Sequence, residues 1–198
     1  MVFSQFAKLV KPLPIVGFAV VAAICLAAAQ PAKAQDTDGQ GPAPWRSFTV
    51  WLAAAPGRAE EFAAFEAYLA QAGVKDVVPA WQLIRTATSW RQCGDPFAIP
   101  ERRLWPNITP ALAFVRDRIV PVIGPVEPVA VFRDEAMNRC AGGARGSVHR
   151  RFAALDLTPQ RPLSLADLTA ALCPIHAAHG PRARIGLGFY RGRRFHVD

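Results

Sequence analysis

No two cysteines in the 198 residues stand in a C-x-x-C spacing, so neither a cysteine zinc site nor a thioredoxin-like redox motif is supported. There is also no run of basic residues interleaved with aromatics. The net charge is +8, but its arginines are scattered, which argues against nucleic acid as a partner. The apolar stretch Ile15 to Ala29 falls short of the ~20 residues a membrane-spanning helix needs. Internal repeats are absent, and so is the regular β-α-β rhythm of a parallel sheet.

Residues 1–34 carry the three parts of a secretory signal peptide. Lys8 and Lys11 form a basic start, the apolar stretch follows, and Ala32-Lys33-Ala34 gives a small-x-small exit. Cleavage is expected before Gln35, which makes the mature protein periplasmic or extracellular. Ile24, where a lipid-anchor site wants a small residue, argues against an anchor at Cys25. Cleavage removes Lys8, Lys11 and Lys33 and no acid, so the net charge drops by three, from +8 to +5. A moderately basic exported protein suits an anionic polymer such as cell wall, although charge alone fits simple solubility equally well. About 164 residues remain, enough for one domain with its own core. Cys93, Cys140 and Cys173 remain; in an oxidising compartment two can pair, and sequence does not say which.

Residues 35–44, rich in Gly, Pro and polar side chains, read as a flexible leader. An N-terminal extension over 45–104 and a core over 105–198 follow. A helix is expected from Gly57 to Ala72, with Phe62, Phe65 and Leu69 on one face. A second starts at Thr109-Pro110, turns Leu112, Val115 and Ile119 inward, and is expected to end at Pro121. Val129–Phe132 and Phe152–Leu157 read as strands, with one Asp134-capped helical turn through Asn138 between them. Ser164 opens a helix with Asp167 as its capping-box acid. Residues 185–190 and 193–198, joined at Arg191-Gly192, read as a hairpin. The fold class this mixture indicates is α+β.

Four histidines are present: His149, His176, His179 and His196. A metal centre needs about three convergent nitrogen or oxygen ligands, and a catalytic one keeps a position open for water. His149 and Asp156 lie seven residues apart, and on a strand Asp156 shares a face with the small Ala154. In Phe195-His196-Val197-Asp198, alternation puts His196 and Asp198 on one face and the apolar pair on the other. Cys173, His176 and His179 also have ligand-like spacing, but Gly180-Pro181 marks a helix end, where histidines suit the negative pole.

Phe132-Arg133, then Asn138, Gly142-Gly143-Ala144, Ser147-x-His149 and Ala154-x-Asp156 occur in order. With the late Gly186-Leu187-Gly188-Phe189-Tyr190 segment and His196-x-Asp198, this series resembles the D-alanyl-D-alanine carboxypeptidase and dipeptidase family of zinc peptidases. The resemblance covers roughly Trp105 to Asp198. It implies a hedgehog/DD-peptidase-like single domain, here with an N-terminal helical extension, and activity on peptidoglycan stem peptides. It further implies that His149, Asp156 and His196 bind Zn2+, that Arg133 faces a substrate carboxylate or the developing oxyanion, and that Ser147 binds substrate or supports the site. Singly, these residues have plainer readings: Arg133 as a surface cation, Ser147 as a turn residue, Gly142 and Gly143 as loop formers.

Three features depart from the family pattern. Many relatives carry an acid three residues before the last ligand histidine, where this chain has Arg193. Asp198 is the substitute candidate for the general base, or alternatively a group that orients a ligand. Phe152 stands where relatives usually have Gly and is expected to narrow the site or change the strand's approach. The chain stops two residues after His196, whereas relatives commonly continue. Two function classes follow: a D,D-carboxypeptidase or endopeptidase, or a non-catalytic wall-binding module that keeps the fold.

Overall fold

A computed structural model describes residues 41–198. The expected signal peptide and residues 35–40 of the expected leader lie outside the described residues. Residues 41–44 are held in place. The Gly41 carbonyl accepts from Trp90 Nε1, and the Ala43 carbonyl accepts from Arg85 Nε. A helix not anticipated from sequence follows, α1 (Trp45–Ala53), burying Phe48 and Trp51. α2 (Arg58–Gln71) buries Phe62, Phe65 and Leu69 as its spacing predicts, with Gly57 at φ +81° before its first turn.

The segment from Trp81 to Arg91, which shows no clear period, contains a 3-10 turn (Ala80–Ile84) and the start of the short α3 (Trp90–Cys93). α4 (Thr109–Phe114) continues through a π turn (Val115–Ile119) into α5 (Val120–Ile123). The helix therefore does not end at Pro121. Val120 N–H reaches back five residues to the Val115 carbonyl, and this widened turn accommodates a ring that would clash in a regular α-helix.

The sheet is four-stranded and antiparallel, in the order β1-β2-β4-β3. β1 (Val126–Ala130) begins and ends earlier than expected; as an edge strand it can accept Pro128. α6 (Glu135–Cys140) is capped by Asp134, whose side chain accepts from Met137 N. β2 (Leu155–Pro159) starts three residues later than expected, because Val148–Arg151 forms a 3-10 turn and Phe152 takes a left-handed conformation at φ +55°. α7 (Leu165–Ala183) opens with the Ser164–Asp167 capping box and buries Leu168 and Leu172. β3 (Leu187–Phe189) and β4 (Phe195–Val197) form the expected hairpin.

Leu155, Leu157, Phe195 and Val197 are fully buried on one face of the sheet, within a cluster that also holds Phe48, Phe65, Leu112 and Leu168. One apolar core thus spans residues from both sides of position 105. Two further ties cross that line. The Cys93–Cys140 disulfide joins α3 to α6, with Cys173 outside it. The buried Arg85 donates to Glu127 and to the Pro128 carbonyl in β1.

Candidate metal centre

The glycines ahead of His149 have a local cause. Gly142 sits at φ +70°, and a Cβ on Gly143 would lie 2.1 Å from Asn138 Oδ1. Only a glycine lets the chain pass this closely over Asn138. The Asn138 side chain is buried and donates to the Ala144 carbonyl at 2.9 Å, while Gly143 N donates to the Asn138 carbonyl at 2.8 Å. The loop wrapped around Asn138 leads to Ser147 and then into the 3-10 turn that carries His149.

Sheet register delivers the other two residues. Asp156 on β2 is directly paired with His196 on β4, both on the face opposite the core. His196 Nδ1 lies 2.9 Å from Asp156 Oδ1, and His149 Nε2 lies 3.4 Å from the same oxygen. One ligand-type atom from each of the three residues falls within 4.8 Å of the others. Among the described residues, no other group of three His, Cys, Asp or Glu side chains converges in this way. The arrangement is deeply set: His149 is 2 % exposed and Asp156 3 %.

The hydrogen bonds define what this cluster lacks. His149 Nδ1 lies 2.7 Å from the Val131 carbonyl, which can only accept, so Nδ1 carries the proton. In the neutral ring Nε2 then presents a lone pair, and that atom is buried without a hydrogen-bond partner. Burial holds the His149 pKa below its ordinary value despite the attraction of Asp156. Burial also opposes ionisation of Asp156, yet the hydrogen bond and charge of His196 beside it hold its carboxyl below the usual carboxylate range. A buried lone pair facing a buried carboxylate with no proton between them is unsatisfied, and a metal cation satisfies both. These three residues can therefore hold a metal ion.

The support around them is specific. Val131 N donates to the Arg85 carbonyl, so the N-terminal extension braces the carbonyl that orients His149. Tyr190, not singled out as a site residue from sequence, donates its hydroxyl to Asp156 Oδ1 at 2.9 Å. Burial and the Asp156 charge raise the Tyr190 pKa, keeping it a donor. Its signal in the sequence was its position closing the Gly-rich segment before the final histidine strand.

Asp198 Oδ1 lies 3.5 Å from His196 Nε2, on the other side of the ring from Asp156. A Cβ on Gly186 would lie 2.2 Å from that same Oδ1, so Gly186 makes room for the carboxylate. Burial opposes a charge on His196, but its bonds to Asp156 and Asp198 win and push its pKa up to about 9. Arg133 donates its backbone N–H to the His149 carbonyl, and its Nε is buried without a partner. Ser147 lines a groove of about 400 Å3, together with Phe132, Arg145 and Arg150.

Arg193 is exposed and reaches toward the Arg161 carbonyl. Phe152 points into the core, 5.8 Å from the Phe65 ring and 6.1 Å from Phe132; its ring packs away from the ligands and does not narrow the site. His176 packs over Gly180 and its Nε2 meets the Ile185 carbonyl at 2.8 Å, while His179 is exposed. These contacts give His176 a structural role near the end of α7.

Comparison of the chain with protein-family models, with curated proteins and with solved structures finds no significant match in any of the three.

Proposed function

We propose that this chain is an exported zinc-dependent peptidase that hydrolyses peptide bonds in peptidoglycan stem peptides, as a D,D-carboxypeptidase or endopeptidase. The observation that carries the reading is the buried His149–Asp156–His196 cluster, with the lone pair of His149 Nε2 turned toward a carboxylate. Adjacent ligands of a tetrahedral zinc with bonds of ~2.0–2.1 Å lie about 3.3 Å apart. The 2.9 and 3.4 Å separations from Asp156 Oδ1 are close to that spacing, and the three donor atoms all lie within 4.8 Å of one another. Mixed His/carboxylate donors suit zinc, and the ordered motifs from Phe132 to Asp198 support the peptidase family and its hedgehog/DD-peptidase fold.

Zinc held by His149, Asp156 and His196 would supply a bound water of lowered pKa and a Lewis acid for the scissile carbonyl. The chain's own groups prepare the rest. The Val131 carbonyl fixes the His149 tautomer, Tyr190 orients Asp156, and Asp198 orients His196. Of the two roles open to Asp198, its place across the His196 ring favours orienting the ligand over taking a proton from water. Arg133 offers a buried, unpaired guanidinium N–H to a substrate carboxylate or to charge developing on the carbonyl oxygen. Ser147, on the same turn as His149, opens onto the neighbouring groove and is the candidate substrate contact there.

One observation favours a second reading, a wall-binding module that keeps the fold and the zinc without turnover. The position where relatives carry an acid holds Arg193, which points away from the cluster. Mass spectrometry of muropeptides incubated with the zinc-loaded protein, with and without chelator, separates the two. Zinc-dependent loss of one D-Ala or one cross-link supports the peptidase. Unchanged muropeptides, from folded protein with zinc bound, support the binding module.

A further inference from the structure

α6 is only six residues long, too short to persist by its own hydrogen bonds. Its position depends on what it is tied to. It packs against α3 and against the 3-10 turn that carries His149. The Cys93–Cys140 disulfide makes the tie to α3 covalent, at the last residue of the helix. Two residues earlier stands the buried Asn138, whose Nδ2 donates to the Ala144 carbonyl and whose own carbonyl accepts from Gly143 N. The bonds continue forward: Ser147 N donates to the Ala144 carbonyl, and Arg150 N to the Ser147 carbonyl. A connected path thus leads from the disulfide through Asn138 to the turn bearing a candidate ligand.

The disulfide is open to thiol chemistry. Cys140 is exposed and Cys93 half-buried, so a thiolate from solvent meets Cys140 first. Ser89 Oγ lies 3.5 Å from Cys93 Sγ, where its hydroxyl can donate to a departing thiolate. Exposed disulfides are the ones that exchange readily. A dithiol reductant supplies both electrons. Its first thiolate attacks Cys140 Sγ, forming a mixed disulfide as Cys93 leaves as a thiolate. Its second thiolate displaces Cys140, so the reductant ends as a disulfide and its two protons end on Cys93 and Cys140.

We propose that the Cys93–Cys140 disulfide is a redox switch on the metal centre: closed, it holds α6 and the loop around Asn138 so that His149 is set for a metal, and opened by a dithiol it lets them relax and metal affinity falls. This rests on the metal reading of His149, Asp156 and His196 and not on the peptide substrate. The fall is graded, because the Val131 carbonyl still holds His149 Nδ1 and Arg133 N still donates to the His149 carbonyl. Loss of a partner that orients a ligand costs about 10- to 100-fold, and about 10-fold is expected here.

Zinc titrations of the oxidised wild type and of a Cys93→Ser/Cys140→Ser variant, which has no thiols there to bind metal, test the switch. The variant should bind zinc about 10-fold more weakly. By linkage, zinc should favour the closed disulfide by the same factor when the wild type is equilibrated in a dithiol–disulfide buffer at fixed free zinc. In the Asn138→Ala background the oxidised and thiol-free forms should bind zinc alike, because the path is already cut. Equal affinities in wild type and double-serine variant, a gap that persists without Asn138, or unfolding of the whole chain on reduction overturns the proposal. Zinc uptake by neither form removes the metal reading itself, whereas equal uptake by both removes only the switch.

Discussion

Phe152 links two candidate ligands, His149 and Asp156, and it does so at φ +55° with a fully buried ring. The conformation and the burial pull in opposite directions. A residue with a Cβ in the left-handed region costs about 1–2 kcal/mol, whereas losing a buried Phe side chain to Ala costs about 3–5 kcal/mol. Phe152 keeps the strained backbone because its ring packs against Phe65 and Phe132. Phe152→Ala loses that packing and retains the strain, so it should destabilise the protein by about 3–5 kcal/mol. Phe152→Gly loses the same packing and relieves the strain, but it adds about 0.5–1 kcal/mol of unfolded-state entropy. The glycine variant should therefore be the more stable of the two by roughly 0.5–1 kcal/mol, or about 1–4 °C in Tm. Gly normally ranks below Ala, so the order is the informative result. Urea denaturation of both variants under identical metal conditions gives it directly. If the alanine variant proves the more stable, the positive-φ account of the His149–Asp156 connection is wrong.

Three further predictions follow from separate parts of the structure. In Gly186→Ala the new Cβ meets Asp198 Oδ1, so zinc affinity should fall about 10- to 100-fold, as for loss of a ligand-orienting partner. Asp198→Ala should match it in zinc titrations, and unaltered affinity in both would remove Asp198 from that role. In zinc-free protein, the raised His196 pKa contributes stability that is fully present below pH 6.5 and lost as pH rises through about 9. Zinc requires the neutral ring, so the stabilisation it adds should grow over the same interval; denaturation midpoints with and without zinc at pH 6.5 and pH 9 would reveal the opposite trend if the assignment is wrong. Replacing Cys93 and Cys140, which are 47 residues apart, by alanine should cost about 4 kcal/mol by loop-closure entropy, measured by denaturant unfolding.

The parts legible in the sequence are those set by local chemistry. The faces of α2 and α7 follow from the spacing of Phe62, Phe65 and Leu69 and of Leu168 and Leu172, and the Ser164–Asp167 box marks where α7 starts. The ordered motifs single out His149, Asp156 and His196 as a set, and one ligand-type atom from each lies within 4.8 Å of the others. What sequence missed depends on register and on distant contacts. Tyr190 gains its role only because β3 lies beside β4, next to β2. The helix running through Pro121 depends on a π turn that has no composition signature. Bracing of Val131 by Arg85 joins residues 46 apart through backbone atoms, which side-chain patterns cannot report.

The account depends most on the three residues holding a metal. Zinc titration of the purified protein, alongside His149→Ala, Asp156→Asn and His196→Ala variants verified as folded, tests this directly. One zinc per wild-type chain is expected, with affinity in each variant falling by more than the 10- to 100-fold that outer partners cost. Folded wild-type protein that takes up no zinc, or variants that bind it as tightly as the wild type, would contradict the account.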